Sequence, residues 1–165
     1  MNAFVIDAFE FCRLKERREG EIAIADLPRL ADESTDRAGS MHWALQGGTD
    51  EQGHAQLTLS VAGAINLMCQ RCLTPFVFDV ASESILVLAP DEASADEIDT
   101  QLADESVEVI VGSRNFDIVQ LIEDDALLTI PLSPKHEVCP DHVAPAAEQD
   151  AKEESPFAVL KNLKK

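Results

Sequence analysis

Residues 56–80 read QLTLSVAGAINLMCQRCLTPFVFDV, and the reading of this stretch decides the fold. Leu57, Leu59, Val61, Ile65, Leu67 and Cys69 fall on odd positions, with Gln56, Thr58, Ser60 and Asn66 between them. Successive strand side chains point to opposite faces, so the alternation predicts a strand with one buried face. Gly63 interrupts the row. A glycine inside a strand marks a bulge or bend, which predicts one kinked strand or two. Beyond Pro75 the apolar phase moves to Phe76, Phe78 and Val80, and Ile85 to Leu88 run on to Pro90. QRCLTP is therefore placed at the reversal between two antiparallel strands.

The Cys69-x-x-Cys72 pair at that reversal admits three uses. A structural zinc site needs four soft or borderline ligands in a tetrahedral array, and this pair supplies half. The other half has candidates in KHEVCPDH: Cys69, Cys72 and Cys139 with His136 or His142 would make a Cys₃His set. Against it, Leu73 and Thr74 stand where small residues usually let such a turn offer backbone N–H groups to sulfur. A redox pair wants its first cysteine at a helix N-terminus, and this one follows a strand. The third use is structural: Cys69 completes the inward row, Arg71 anchors the turn by pairing with a carboxylate, and Cys72 packs as a small hydrophobe. The residues favour this third reading and leave zinc open.

Working outward, Asp7 to Glu19 predicts a short helix capped by Asp7 and stopped by Gly20, carrying Arg13, Lys15, Arg17 and Arg18. A Pro-containing segment and a polar loop, ADESTDRAGS, lead into MHWALQG. DEASADEIDTQLADES, over 91–106, holds almost no core-forming residues and predicts a mobile acidic loop. SVEVIVG predicts a further strand. In NFDIVQLIEDDALLTIP, the residues Ile118, Leu121, Ile122, Leu128 and Thr129 form one helical face, with Asp117 or Asn115 as cap and Pro131 as the stop. Asp125 lies in that apolar face, which calls for a rim position or a cation such as Arg71 or Arg114. The expected fold class is α+β: a mainly antiparallel, strongly bent sheet over about 41–111, with barrel closure left open and helices flanking it. One domain over 1–140 and a flexible tail over 141–165 are expected. The tail ends in an apolar stripe, Phe157, Leu160 and Leu163, with lysines beside it.

Charge narrows the function. The chain of 165 residues has a net charge of −18, and ten acids with no Lys or Arg lie between Arg71 and Arg114. Nucleic-acid affinity comes largely from Lys and Arg at phosphates, so broad RNA binding by this part is disfavoured, while a basic protein partner is favoured. No basic segment leading into an apolar one opens the chain, and no apolar run approaches the ~20 residues of a membrane span. A cytoplasmic, non-membrane protein is expected. Gly-rich phosphate loops, Gly-x-Ser-x-Gly and His-Glu-x-x-His are missing, and the reading is a non-enzyme.

MCQRCLTPF after an alternating strand, then FDIVQLIEDDALLTIPLSPKH, then SPFAVLKNLK resemble the YceD family, the large ribosomal RNA subunit accumulation proteins. Cys69, Arg71, Cys72, Pro75 and Phe76 match its turn motif. The resemblance implies a role in synthesis, processing or stability of 23S rRNA and no known reaction. It also implies a fuller cysteine set after the last helix in many members; here only Cys139 remains there. A basic large-subunit ribosomal protein or assembly factor is the expected partner, with 23S rRNA contacted indirectly. The rival is direct rRNA binding through the basic N-terminal helix and C-terminal lysines. Arg13, Arg17, Arg18, Asp124, Asp125, Pro156, Phe157, Leu160, Leu163 and Lys164 are the expected partner or RNA contacts.

Overall fold

The computed structural model describes residues 4–103 and 106–140. The elements run β1 (Val5–Ile6), α1 (Ala8–Arg13), β2 (Arg17–Ala23), a 3₁₀ turn (Ile24–Asp26), α2 (Pro28–Glu33), β3 (Ser40–Thr49), β4 (Ala55–Met68), β5 (Pro75–Ala89), α3 (Glu92–Leu102), β6 (Val107–Val111), β7 (Phe116–Asp117) and α4 (Ile118–Thr129). The fold is α+β. Its main sheet has the order β2-β3-β4-β5-β6, and β1 pairs with β7 in a second, two-stranded sheet. The first and last strands of the main sheet do not pair, so no barrel closes.

The predicted hairpin is the spine. β4 and β5 pair without a break from Gln56↔Val87 to Met68↔Pro75. Gly63 makes no bulge. It sits in register opposite Met41 and Val80, and a Cβ there would meet the Ser40 carbonyl oxygen at 2.5 Å and Met41 Sδ at 2.7 Å. The glycine serves a close approach of β3. Leu57, Leu59, Val61, Ile65 and Leu67 are buried as the alternation requires, and they pack with Met41, Leu45, Phe11, Leu27, Leu30, Ile118 and Ile122 in one core.

Three expectations change. The N-terminal helix stops at Arg13: Lys15 takes a positive φ, and Arg17–Ala23 pairs with β3 from Arg17↔Gln46 to Ala23↔Ser40. Gly20 lies inside that strand. The acidic stretch 91–106 is a helix rather than a loop over Glu92–Leu102. Asp91 caps it by accepting from the Ser94 amide at 2.8 Å, while Ala95 and Ile98 bury against Val87 and Ala89. The pairing of β5 with β6 is parallel, and parallel strands need a crossover, which α3 provides. In α4, capped by Asp117 as expected, the buried face is Ile118, Ile122, Glu123, Asp125 and Ala126, whereas Leu128 is 80% exposed. The tail expected over 141–165, with Pro156, Phe157, Leu160, Leu163 and Lys164, lies outside the described residues.

Candidate metal centre

β4 ends at Met68, and the chain reverses through residues 69–74. The Cys69 amide donates to the Thr74 carbonyl at 3.0 Å and the Leu73 amide donates to the Cys69 carbonyl at 2.9 Å. Leu73 takes the left-handed conformation at φ 59°. The turn closes despite its bulky residues, contrary to the expectation from Leu73 and Thr74. After α4 the chain comes back across this turn. The Gln70 amide donates to the Pro134 carbonyl at 2.9 Å, and the Phe76 ring lies 5.0 Å from the His136 ring, centroid to centroid.

This return brings Cys69, Cys72, His136 and Cys139 together, with one ligand atom from each within 4.8 Å of every other. Cys69 Sγ and Cys139 Sγ are 3.9 Å apart, and Cys72 Sγ is 3.3 Å from His136 Nδ1. A tetrahedron with metal–sulfur bonds of about 2.3 Å and a metal–nitrogen bond of about 2.0 Å has edges of about 3.8 Å (S–S) and 3.5 Å (S–N). The spacing fits a bound ion. It exceeds by far the about 2 Å of a disulfide, and all three thiols are free.

Electrostatics agrees with the spacing. Burial pushes the Cys69 thiol up, but the backbone amides of Cys72, His136 and Arg71 and the His136 ring outweigh burial and hold it at about 5. The His136 amide itself points at Cys69 Sγ, 3.4 Å away. Cys139 is pushed up by burial and by the neighbouring Cys69 and Cys72 sulfurs. One thiolate thus stands ready beside two further sulfurs that a cation would draw into the ionised form.

Comparison with known families decides the identity. The model of the family described as large ribosomal RNA subunit accumulation protein YceD matches residues 57–164, more than half of the chain. The chain belongs to the YceD family. The match begins within β4 and takes in all four clustered residues, while α1 and β2 precede it. No solved structure matches the chain. YceD membership connects the chain with accumulation of large-subunit ribosomal RNA. Among the described residues no helix is long and apolar enough to cross a membrane.

The remaining site residues disperse. Cys69 and Cys72 are buried in the turn, with Pro75 and Arg71 exposed, and among the described residues no carboxylate pairs with Arg71. The expected anchor is absent because Gln70, through Pro134 and the Ser133 hydroxyl at 3.1 Å, ties the turn instead. Arg13, Arg17 and Arg18 do not form one basic helix face. Arg13 pairs with Glu10, Arg17 with Glu19 at 2.9 Å and Arg18 with Glu16 at 3.6 Å, and the Arg18 guanidinium also lies 5.7 Å from the Phe11 ring centre. Asp125 meets neither Arg71 nor Arg114: the Ser84 hydroxyl donates to its Oδ1.

Glu123 was missed by the sequence reading. Only 5% exposed, it accepts from the Arg29 amide at 2.6 Å and the Leu30 amide at 3.1 Å and pairs with the Arg29 guanidinium at 2.9 Å. It therefore caps α2 from another helix, because Leu27 at the cap position has no side-chain acceptor. A helix with leucine at the cap position, where Ser, Thr, Asp or Asn would supply an acceptor, is the signal that an outside acceptor is needed. Asp124 shares the same guanidinium at 2.6 Å.

Proposed function

We propose that this YceD protein raises the level of 23S rRNA without catalysing a reaction, in the cytoplasm, by acting on a basic protein of the large subunit or of its assembly. Family membership carries the first half of this reading. The net charge of −18 supports the second: a strongly acidic protein attracts a basic polypeptide and repels RNA. The local pairing of Arg13, Arg17 and Arg18 with glutamates weighs against the rival, direct RNA contact through those residues.

Zinc is the ion that suits three thiols and an imidazole, and we assign Cys69, Cys72, His136 and Cys139 as its ligands. With all four positions filled by protein, the role of such an ion is structural: it clips residues 134–139 to the hairpin turn. The test is the ratio of 23S to 16S rRNA in cells lacking the protein, complemented with wild type or with Cys69→Ser/Cys72→Ser. A fall restored by wild type alone supports both the role and the clip. An unchanged ratio on deletion sinks the role. Restoration by the cysteine variant removes the clip from it.

A further inference from the structure

The open edge of the main sheet combines an apolar strand, acidic hollows on both of its faces and a buried carboxylate oxygen with no donor among the described residues. β6, Val107–Val111, is the last strand of the sheet among the described residues, where one of its sides has no strand partner, and its sequence is VEVIV. An exposed, apolar strand edge pairs readily with another chain. The opposite edge, β2, is blunted by the charges of Arg17, Arg18, Glu19 and Glu21.

Both faces of β6 open into acidic hollows. Between β6 and α4 lies a cavity of about 370 Å³ with an apolar wall that includes Ile110 and Leu121 and with Glu108, Asp117, Asp124 and Asp125 around it. On the other face a shallower groove against α3 carries Glu92, Asp96 and Asp99, and Glu108 borders it too. Asp124 already holds Arg29. Among the described residues Glu108, Glu92, Asp96 and Asp99 have no cation.

Asp125 points to what is missing. It is 8% exposed, its Oδ1 accepts from Ser84, and its Oδ2 is buried with no donor. An unanswered buried carboxylate oxygen is costly, and a guanidinium, with five donors on a planar fork and an aliphatic stem for the apolar wall, is the side chain that fits. We infer that β6 is a docking edge for an extended segment of a basic polypeptide, which adds as a further strand and sends cationic side chains alternately toward α4 and α3. The period of two along a strand delivers neighbouring residues to the two hollows. The identity of the partner as a basic protein rests on the proposed function; the edge itself does not.

The probe is an extended peptide of adjacent arginine pairs separated by single valines, which places arginine on both faces of an added strand; it is added to the full-length protein, with amide hydrogen exchange and nuclear magnetic resonance shifts as readouts. The expected result is slowed exchange of amides in Val107–Val111 and shifts at Glu108 and Asp125, with affinity falling as salt rises. Glu108→Lys, an exposed substitution that borders both hollows, is expected to weaken binding about tenfold or more, and Asp125→Asn to weaken it less. A peptide with glutamate in place of arginine does not bind. Protection appearing at β2, equal binding of the glutamate peptide, or Glu108→Lys binding like wild type overturns the inference. So does peptide binding that appears only after removal of residues 141–165, which makes the chain's own tail the occupant. Loss of peptide binding in Glu108→Lys with an unaltered rRNA ratio in cells supports the edge and counts against its use in the proposed function. A low ratio on deletion without any protection of β6 overturns the edge and leaves that function standing.

Discussion

The two ends of the β4–β5 hairpin gather polar groups in opposite ways. At the turn, Cys69, Cys72, His136 and Cys139 face one another across less than 5 Å, and backbone amides answer the Cys69 sulfur. At the far end, where β5 carries β6, carboxylates crowd two hollows and most of them meet no cation among the described residues. Convergent ligands whose charges one small ion can satisfy make a site that completes the fold. Carboxylates that repel one another and face outward make a surface that awaits something larger. On the two proposals above, the same hairpin carries a structural centre at one end and an interaction surface at the other.

The strongest way to break this comparison is to remove the thiols. Cys69→Ser/Cys72→Ser is expected to lose bound zinc and, at zinc about a thousandfold above its Kd, the about 4 kcal/mol that such binding contributes. Elemental analysis and thermal unfolding check it: a chelator lowers the melting temperature of wild type and leaves that of the variant alone. Wild type that retains no zinc breaks the contrast outright.

The metal-free protein offers a sign test at the same end. Cys69 is held at about 5 against an ordinary 9.0, so the folded state favours its thiolate more than the unfolded state does. The resulting stability is fully present above about pH 9 and is lost as pH falls toward 5. Cys139, raised above its ordinary 9.0, opposes the trend only at the top of that window, where the unfolded thiol begins to ionise. Denaturant unfolding in chelator should show stability rising from pH 5 to 9, with a flatter profile for Cys69→Ser. A profile that falls over that range contradicts the assignment of Cys69.

At the acidic end the contrast is between answered and unanswered carboxylates. Glu123→Ala strands two α2 amides and the Arg29 guanidinium, and should lower unfolding free energy by about 2–3 kcal/mol. Asp91→Ala removes the cap of α3 and should cost about 1 kcal/mol, visible as faster hydrogen exchange confined to α3. Glu108→Gln should change stability by no more than about 0.5 kcal/mol, because no cation among the described residues pairs with that carboxylate. If Glu108→Gln proves as damaging as Glu123→Ala, the acidic edge is part of the fold and the comparison between the two ends collapses.

The hairpin was legible because its information is local: a period of two persists from Leu57 to Leu67, and burial on one face enforces it. The N-terminal segment misled because its arginines have acceptable helix propensity, and the strand that claims Arg17–Ala23 is a partner that begins beyond α2, at Ser40. In the acidic segment, two small buried contacts, Ala95 and Ile98, suffice for a helix held as a crossover, too few to register as a periodic pattern. α4 was placed correctly in the chain but turned wrongly. Its inner face contains Glu123 and Asp125, whose burial depends on Arg29, the α2 amides and Ser84 from distant parts of the chain.

By itself, then, the sequence determined the α+β class, the central hairpin, two candidate caps for α4, the acidic balance and a set of candidate metal ligands, Cys69, Cys72 and Cys139 with His136 or His142. Each of these is a property of composition or of neighbours within a few positions. Only the tertiary structure decided that His136 and Cys139 return to the turn, that β6 runs parallel to β5 at an open edge, and that one acid of α4 is answered while another is left with a bare oxygen. These depend on which distant groups meet, and a pairing between residues about twenty or more positions apart leaves no periodic trace in the chain that carries it.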